Sequence, residues 1–446
     1  HHCVAHCRLT GCGLAEGGMM GYLLFGAFFV LMLIGVPIGL AIGLSALIVF
    51  VSMGIPLQMV PQTLLEGNNS FALVAVPFFV LAGDILAKGG ISERIVAFAE
   101  AALGRIRGGL SVVSVLASMF IAAISGSGAA TTAAVGASLL PDMKTKKYDV
   151  AESAALIAAA GTIGVVIPPS VPMVLYAVIA GESVAKLFVG GFIPGILMGL
   201  GLIGWAAYKA KVRGYPRGER LPLKVVGKRF LSSFWGLMAP VIILGGIFTG
   251  IFTPSEAAAV AVVYSIVIAA FVYKALDFKK LYKLVVGSGV TSALIMFIIA
   301  TAKLFGWGLA FYQIPQAVAS AMLKLTGNVP FLVYLMIGII VLLAGMFMET
   351  ASALIILTPI FIPAVVGVGG NLVHFGVVLT IGLAIGMATP PVAIDIYVAS
   401  AITGLPMGKI SKPVLPMVLI LTLVFFVAMY VPDIVMVLPR LMMGKG

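Results

Sequence analysis

The chain has 446 residues, of which 62% are hydrophobic and only 9% charged. Soluble domains carry about 25% charged residues, so a soluble enzyme, a disordered protein and a nucleic-acid binder are all excluded as readings of the whole chain. The net charge of +12 lies largely in short basic clusters between apolar stretches, which marks cytoplasmic loops of a polytopic protein in a lipid bilayer and not an acidic partner.

Residues 1–20 carry all three cysteines, Cys3, Cys7 and Cys12, beside His1, His2 and His6. Such a tract reads as a metal binder or as tag or upstream sequence ahead of a start at Met19 or Met20. The periodic apolar pattern begins only at Gly21, which favours a non-core extension. A spanning helix needs roughly 20 apolar residues, and the segments that qualify are about 22–52, 71–88, 149–183, 186–208, 231–251, 255–274, 284–303, 372–404 and 411–435.

Two further apolar stretches, 109–143 and 329–366, are interrupted by Ser125-Gly126-Ser127-Gly128 and by Met348-Glu349-Thr350-Ala351-Ser352. Each half is then about 15 residues, short for a span and suited to a re-entrant hairpin. Arg105 and Arg107 on one flank of the first stretch, and Lys144, Lys146 and Lys147 on the other, put both of its ends on the cytoplasmic side. Counting spans from the basic loop at 274–283 puts both ends of the second outside. Ahead of each hairpin, Ile91–Arg107 and residues 308–326 read as helices lying in the membrane interface.

Pro141, Pro168, Pro169 and Pro194 recur 222 residues later at Pro363, Pro390, Pro391 and Pro416, and Gly164 recurs at Gly386. The same offset brings the first tip residue, Ser127, onto Glu349. Opposed hairpins at one offset make an inverted repeat: 21–208 is the first copy, 209–251 a basic loop with a connecting helix, and 252–446 the second copy. Such repeats build secondary transporters whose sites lie near the membrane midplane. The fold class is therefore an all-α polytopic membrane protein with two re-entrant hairpins and two Pro-Pro broken helices.

Each proline doublet falls mid-span, where a missing N–H unwinds a turn and frees carbonyls. Unwound backbone at membrane depth is tolerated where it is buried in protein or lines a cavity. Carbonyls and hydroxyls are hard ligands suited to a cation. No Cys/His cluster lies in the membrane and no nucleotide motif is present, so an ion gradient is the simplest energy source and sodium the best fit. Of the few ionisable residues at depth, Glu349 and Asp395 are the foremost functional candidates. Asp84, Glu182 and Glu256 lie nearer segment ends, Glu256 in a helix-capping pattern, Thr253-Pro254-Ser255-Glu256. Lys303 and His374 read as interfacial. Paired acids and nucleophile–base arrangements are missing at depth, which argues against an enzyme.

At four stretches the chain resembles the large membrane subunit of the tripartite ATP-independent periplasmic (TRAP) transporters: Ile124–Met143 (ISGSGAATTAAVGASLLPDM), Gly161–Pro194, Phe252–Ala261 (FTPSEAAAVA) and Gly345–Ile402. The resemblance implies a sodium-coupled, elevator-type importer of an organic acid anion (sialic acid or a similar sugar acid, or a C4-dicarboxylate). Its partners would be a small Q-type membrane subunit and a soluble periplasmic P-type binding protein. It would sit in the bacterial inner membrane, N-terminus cytoplasmic and C-terminus periplasmic, with sodium as coupling ion and no other cofactor.

Carried over by motif, one sodium site would use Ser125, Ser127, Gly164, Ile167 and Pro169, and the other Gly345, Met348, Gly386, Thr389 and Val392. Substrate would meet Ser127, Ala129, Ser170, Glu349 and, beyond the second doublet, Asp395. Two departures stand out. Dicarboxylate-type members often show an Ala-Asp pair where this chain has Ala130-Thr131, and the usual glycine after the second Pro-Pro-Val is Ala393. The SGSGAATTAA tip is similar to that of importers of sialic acid and other bulky acids. The rival reading is an ion antiporter or channel of the same architecture, working without a binding protein.

Overall fold

Pro37 cannot continue a helix and Gly35 adopts φ +87°, so the long apolar stretch 22–52 does not form the single span expected of it. It folds instead as α1 (Cys12–Leu33) and α2 (Ile38–Ser52), which pack against each other. The computed structural model describes residues 12–217 and 222–444, with side chains from Met20 onward. The tract holding Cys3 and Cys7 lies outside them. Among the described residues the secondary structure is helical throughout, apart from one isolated bridge between Arg107 and Arg217.

A short α3 (Met59–Asn68) precedes α4 (Ala75–Lys88), which a 3₁₀ turn from Phe71 extends to the expected span. The first of the two helices expected in the interface is α5 (Ile91–Leu103). The first hairpin is α6 (Gly109–Ser125) with α7 (Gly128–Thr145). The first broken helix is α8 (Val150–Gly161), a 3₁₀ turn Thr162–Val165, and α9 (Val171–Ala180). Then come α10 (Val184–Arg213), α11 (Leu223–Phe248), α12 (Pro254–Val267, continued as a π turn to Val272) and α13 (Phe278–Phe311).

In the second copy the helix expected in the interface, α14 (Ile314–Thr326), starts later than 308, because α13 runs eight residues past 303. The second hairpin is α15 (Pro330–Phe347) with α16 (Thr350–Gly367), and the second broken helix is α17 (Leu372–Gly386) with α18 (Ile394–Thr403). The stretch 411–435 divides into α19 (Met407–Tyr430) and α20 (Asp433–Met443) at Pro432. Both ends of α16 lie 222 residues beyond those of α7. The hairpin arms are 17 or 18 residues long, not about 15, and both arms of the second reach crossing length.

Two bodies divide the chain, each drawing on both sequence repeats. The smaller comprises the segments up to Phe71, Thr291–Ile337 and Ile355–Leu372. Its core is aromatic, with the rings of Phe50 and Trp307 4.7 Å apart and those of Phe28 and Phe305 6.1 Å apart. The larger comprises Ala72–Val290, Gly338–Leu354 and Val373–Gly446, and holds both hairpin tips and both broken helices.

Within the larger body several charged groups expected near segment ends have structural partners. Asp84 accepts a hydrogen bond from Ser288 at 2.7 Å and an ion pair from Lys88 at 3.3 Å. Thr253 and Glu256 close a reciprocal cap at the start of α12, as the spacing predicts. His374 is buried with Nε2 2.9 Å from the Ala428 carbonyl, so it stitches α17 to α19.

Glu152 anchors the start of the first broken helix. Its carboxylate takes Lys209 at 3.1 Å, Arg213 at 3.4 Å and the Tyr215 hydroxyl at 3.3 Å. Burial, with the two acids beside it, pushes the Tyr215 hydroxyl up to about 12, so it stays protonated and donating at physiological pH. That clamp fixes where α8 enters, and hence the register of the unwound turn that follows.

Candidate ion and substrate site

The first tip is a knot of oxygens. Gly126 turns the chain at φ +61° beyond α6, and Ser127, extended at φ −138°, caps α7 by accepting the Ala130 N–H at 3.4 Å. The Thr131 hydroxyl donates to the Ser127 carbonyl at 2.8 Å and lies 2.8 Å from the Ser125 hydroxyl. The 3₁₀ turn of the first broken helix lies against this knot. A Cβ on Gly164 would stand 2.6 Å from both the Ser127 carbonyl and the Thr131 hydroxyl, and one on Gly126 would stand 2.7 Å from the Pro169 carbonyl. Only glycine admits such approaches.

Ser125, Ser127, Gly164 and Pro169 therefore come together. Ile167 shares the same turn, with its side chain against Gly195 of α10. Ser170 caps α9 through the Met173 N–H and donates to the Val165 carbonyl at 2.6 Å. Every residue from Gly161 to Ser170 is buried, while Ser127 and Ala129 are half-buried. Thr131 is the contact that sequence reasoning missed. Its signal was present: a hydroxyl four residues into α7, one turn from Ser127, meets the tip it follows.

The second tip uses backbone where the first uses hydroxyls. Gly345 of α15 and Gly386 at the end of α17 meet main chain to main chain, and a Cβ on Gly386 would collide with Gly345. The Val392 N–H donates to the Met346 carbonyl at 3.3 Å, which ties the exit of the Pro-Pro turn to the same arm. Thr389 donates its N–H to the Gly386 carbonyl at 2.9 Å and its hydroxyl to the Ile385 carbonyl at 2.7 Å. Met348 closes α15 through the Ala344 carbonyl at 2.9 Å. Glu349, exposed, caps α16 by accepting the Ala351 and Ser352 N–H groups at 3.0 and 3.2 Å. Pro391 and Val392 are exposed, Val392 at 46%.

The two Pro-Pro turns share one consequence of spacing. Pro168 and Pro390 each lack the N–H that would reach the carbonyl four residues back, which is Gly164 in one case and Gly386 in the other. Both peptide bonds between the paired prolines are cis. An oxygen-lined turn backed by a hairpin tip, occurring twice, can strip and hold a hard monovalent cation.

Ala393 occupies the left-handed region, φ +45° and ψ +67°, where a side chain costs about 1–2 kcal/mol. This explains why a glycine suits the position. Ala393→Gly is expected to raise stability by about 0.5–1 kcal/mol after the greater freedom of glycine in the unfolded chain is subtracted. Thermal melting in detergent checks it, and an unchanged or lower Tm would contradict the strain. Asp395, two residues on, is wholly buried, and neither carboxylate oxygen has a partner.

Residues 25–434 match the family described as Tripartite ATP-independent periplasmic transporter, DctM component. The chain is 41% identical over 377 residues to the C4-dicarboxylate TRAP transporter large permease protein DctM of Pseudomonas aeruginosa, covering 84% of this chain and 88% of that one. To the 2,3-diketo-L-gulonate TRAP transporter large permease protein YiaN of Escherichia coli it is 37% identical, covering 90% and 95%. To the isethionate TRAP transporter permease protein DctMQ of Oleidesulfovibrio alaskensis it is 42% identical, covering 93% of this chain but only 65% of that longer relative. In fold it is similar to the crystal structure of the Alcanivorax borkumensis YdaH transporter, with a TM-score of 0.61 at 15% identity over 84% and 88% of the two chains. These relatives are permeases, not enzymes. A chain that pairs two hairpin tips with two Pro-Pro broken helices, and matches that family along nearly its whole length, belongs to the large permease (DctM) family of the TRAP transporters.

Proposed function

We propose that the chain is the large permease of a sodium-coupled importer of an organic acid anion, moving its cargo across the bacterial inner membrane by an elevator motion. A soluble periplasmic binding protein delivers the substrate, and a small Q-type subunit accompanies the chain in the membrane. The fused name of the DctMQ relative supports that second partner. The observation that carries the reading is the oxygen-lined junction of hairpin tip and Pro-Pro turn, built twice in one body.

In this reading Ser125, Ser127, Gly164, Ile167 and Pro169 hold one sodium ion, and Gly345, Met348, Gly386, Thr389 and Val392 the other. Substrate lies against Ser127, Ala129, Ser170 and Glu349, while Asp395, expected among them, is wholly buried and is not assigned to it. The relatives' names specify a C4-dicarboxylate, a diketo sugar acid and isethionate. All are small anions with polar bodies, which supports a C4-dicarboxylate or a sugar acid as cargo. A bulkier sugar acid such as sialic acid draws its support from the likeness of the first tip alone. The basic clusters support the N-terminus inside and the C-terminus outside.

Proteoliposomes holding the chain with its small subunit test this. With the cognate binding protein outside, labelled C4-dicarboxylate or sugar acid is expected to accumulate under an inward sodium gradient and not under a potassium gradient. Failure with every acid, or equal uptake in potassium, overturns sodium coupling. Ion flux independent of binding protein and organic acid would favour the antiporter or channel reading.

A further inference from the structure

Asp395 stands in the first turn of α18 with its carboxylate wholly buried and both oxygens unpartnered. An ionised carboxylate isolated in the interior is too costly to leave uncompensated, so a bound cation or a proton has to accompany it. No cation of the chain does so among the described residues. The charged side chains on the helices packed against α18 are Asp142 and Lys144 at the far end of α7, Glu152 at the far end of α8, and Lys409 and Lys412 at the start of α19. Glu152 is already held by Lys209 and Arg213.

Asp395 lies against Gly128, and Gly128 against Gly161. A Cβ on Gly128 would stand 3.2 Å from Asp395 Oδ2, 3.2 Å from the Gly161 carbonyl oxygen and 3.2 Å from the Met387 methyl group. A Cβ on Gly161 would stand 3.1 Å from the Gly128 carbonyl oxygen and would run into the Thr132 hydroxyl. That hydroxyl is also buried and without a partner. The two glycines thus let a carboxylate oxygen, two carbonyls and a hydroxyl converge at one close-packed junction. Gly161 is the last residue of α8, where the helix dipole presents its negative end.

We propose that Asp395, Thr132 and the carbonyls of Gly128 and Gly161 form a further cation site, separate from the two Pro-Pro turns, for a monovalent alkali-metal ion of sodium size. One carboxylate among neutral oxygens balances a single charge. Divalent sites of this kind draw on more carboxylates, and no cluster of three or more His, Cys, Asp or Glu occurs among the described residues. The ion would join α18 of the second repeat to the helices beside the first tip, so that filling it couples the two halves. The site rests on the sodium-coupled reading above.

Equilibrium binding of radioactive sodium to the full chain with its small subunit, in lipid nanodiscs, tests it. Wild type is expected to bind one more sodium ion per chain than Asp395→Asn, which keeps the shape and removes the charge. Thr132→Val, which removes only the hydroxyl, is expected to lose the same ion and covers the case in which the Asn variant does not fold. Variants that bind as many sodium ions as wild type overturn the site, including the case of a protonated carboxyl. A wild type that binds no sodium at all would instead sink sodium coupling itself, and this site with it.

Discussion

Gly386→Ala is expected to abolish sodium-driven uptake and to lower stability by about 3 kcal/mol or more, the upper end of the cost of overpacking. The new Cβ would meet the main chain of Gly345, and no rotamer can turn away to admit it. The second hairpin would have to separate from the broken helix, breaking the bond from Val392 to Met346 that closes the turn. Gly345→Ala is expected to be milder, because its nearest neighbours would lie at 3.0 to 3.2 Å. Gly204→Ala, with open space around the new methyl, is expected to be near neutral. Melting curves and uptake measured on the three variants check the order, and a Gly386→Ala protein as stable and active as Gly204→Ala would contradict the close approach.

Replacing Pro390-Pro391 with Ala-Ala is expected to cut the sodium dependence of uptake at least tenfold while leaving membrane insertion intact. The two restored N–H groups would find the carbonyls of Gly386 and Met387 four residues back and extend α17 by helical bonding. The Gly386 carbonyl would then be turned into the helix ladder and drawn from any ion. Sodium titration of uptake measures this, and an unaltered half-saturating concentration would reduce the doublet to a simple kink. The matching change at Pro168-Pro169 would act on the Gly164 carbonyl in the same way.

Much of this architecture was legible because membrane topology writes charge and proline into sequence. Lysines and arginines on both flanks of 109–143 marked the first hairpin, the prolines at one offset marked the second, and Thr253 with Glu256 announced their reciprocal cap. The division of 22–52 was harder to see. Both halves are apolar on all sides, so no change of periodicity flags the turn, although Gly35 and Pro37 together carried the signal. The late start of α14 was hidden for the same reason, since α13 simply continues.

At the site, hydroxyl and glycine positions were legible while their partners were not. Nothing local says that Ser288 reaches Asp84 across 204 residues, that His374 finds a carbonyl on α19, or that Asp395 finds no donor. Those outcomes depend on which helices pack together. Thr131 was within reach, because its partner is one helical turn away. Ala393 had been visible only as a departure from a family habit, and the left-handed backbone gives that departure its physical meaning.

The unequal exposure of the two Pro-Pro turns has a kinetic consequence. In this conformation every residue of the first turn, from Gly161 to Ser170, is buried, whereas the second presents Pro391 and Val392 openly. A ligand of the second turn exchanges at the rate of its own dissociation. A ligand of the first must also wait for the surrounding helices to part, so protein motion adds to the residence time that its affinity sets.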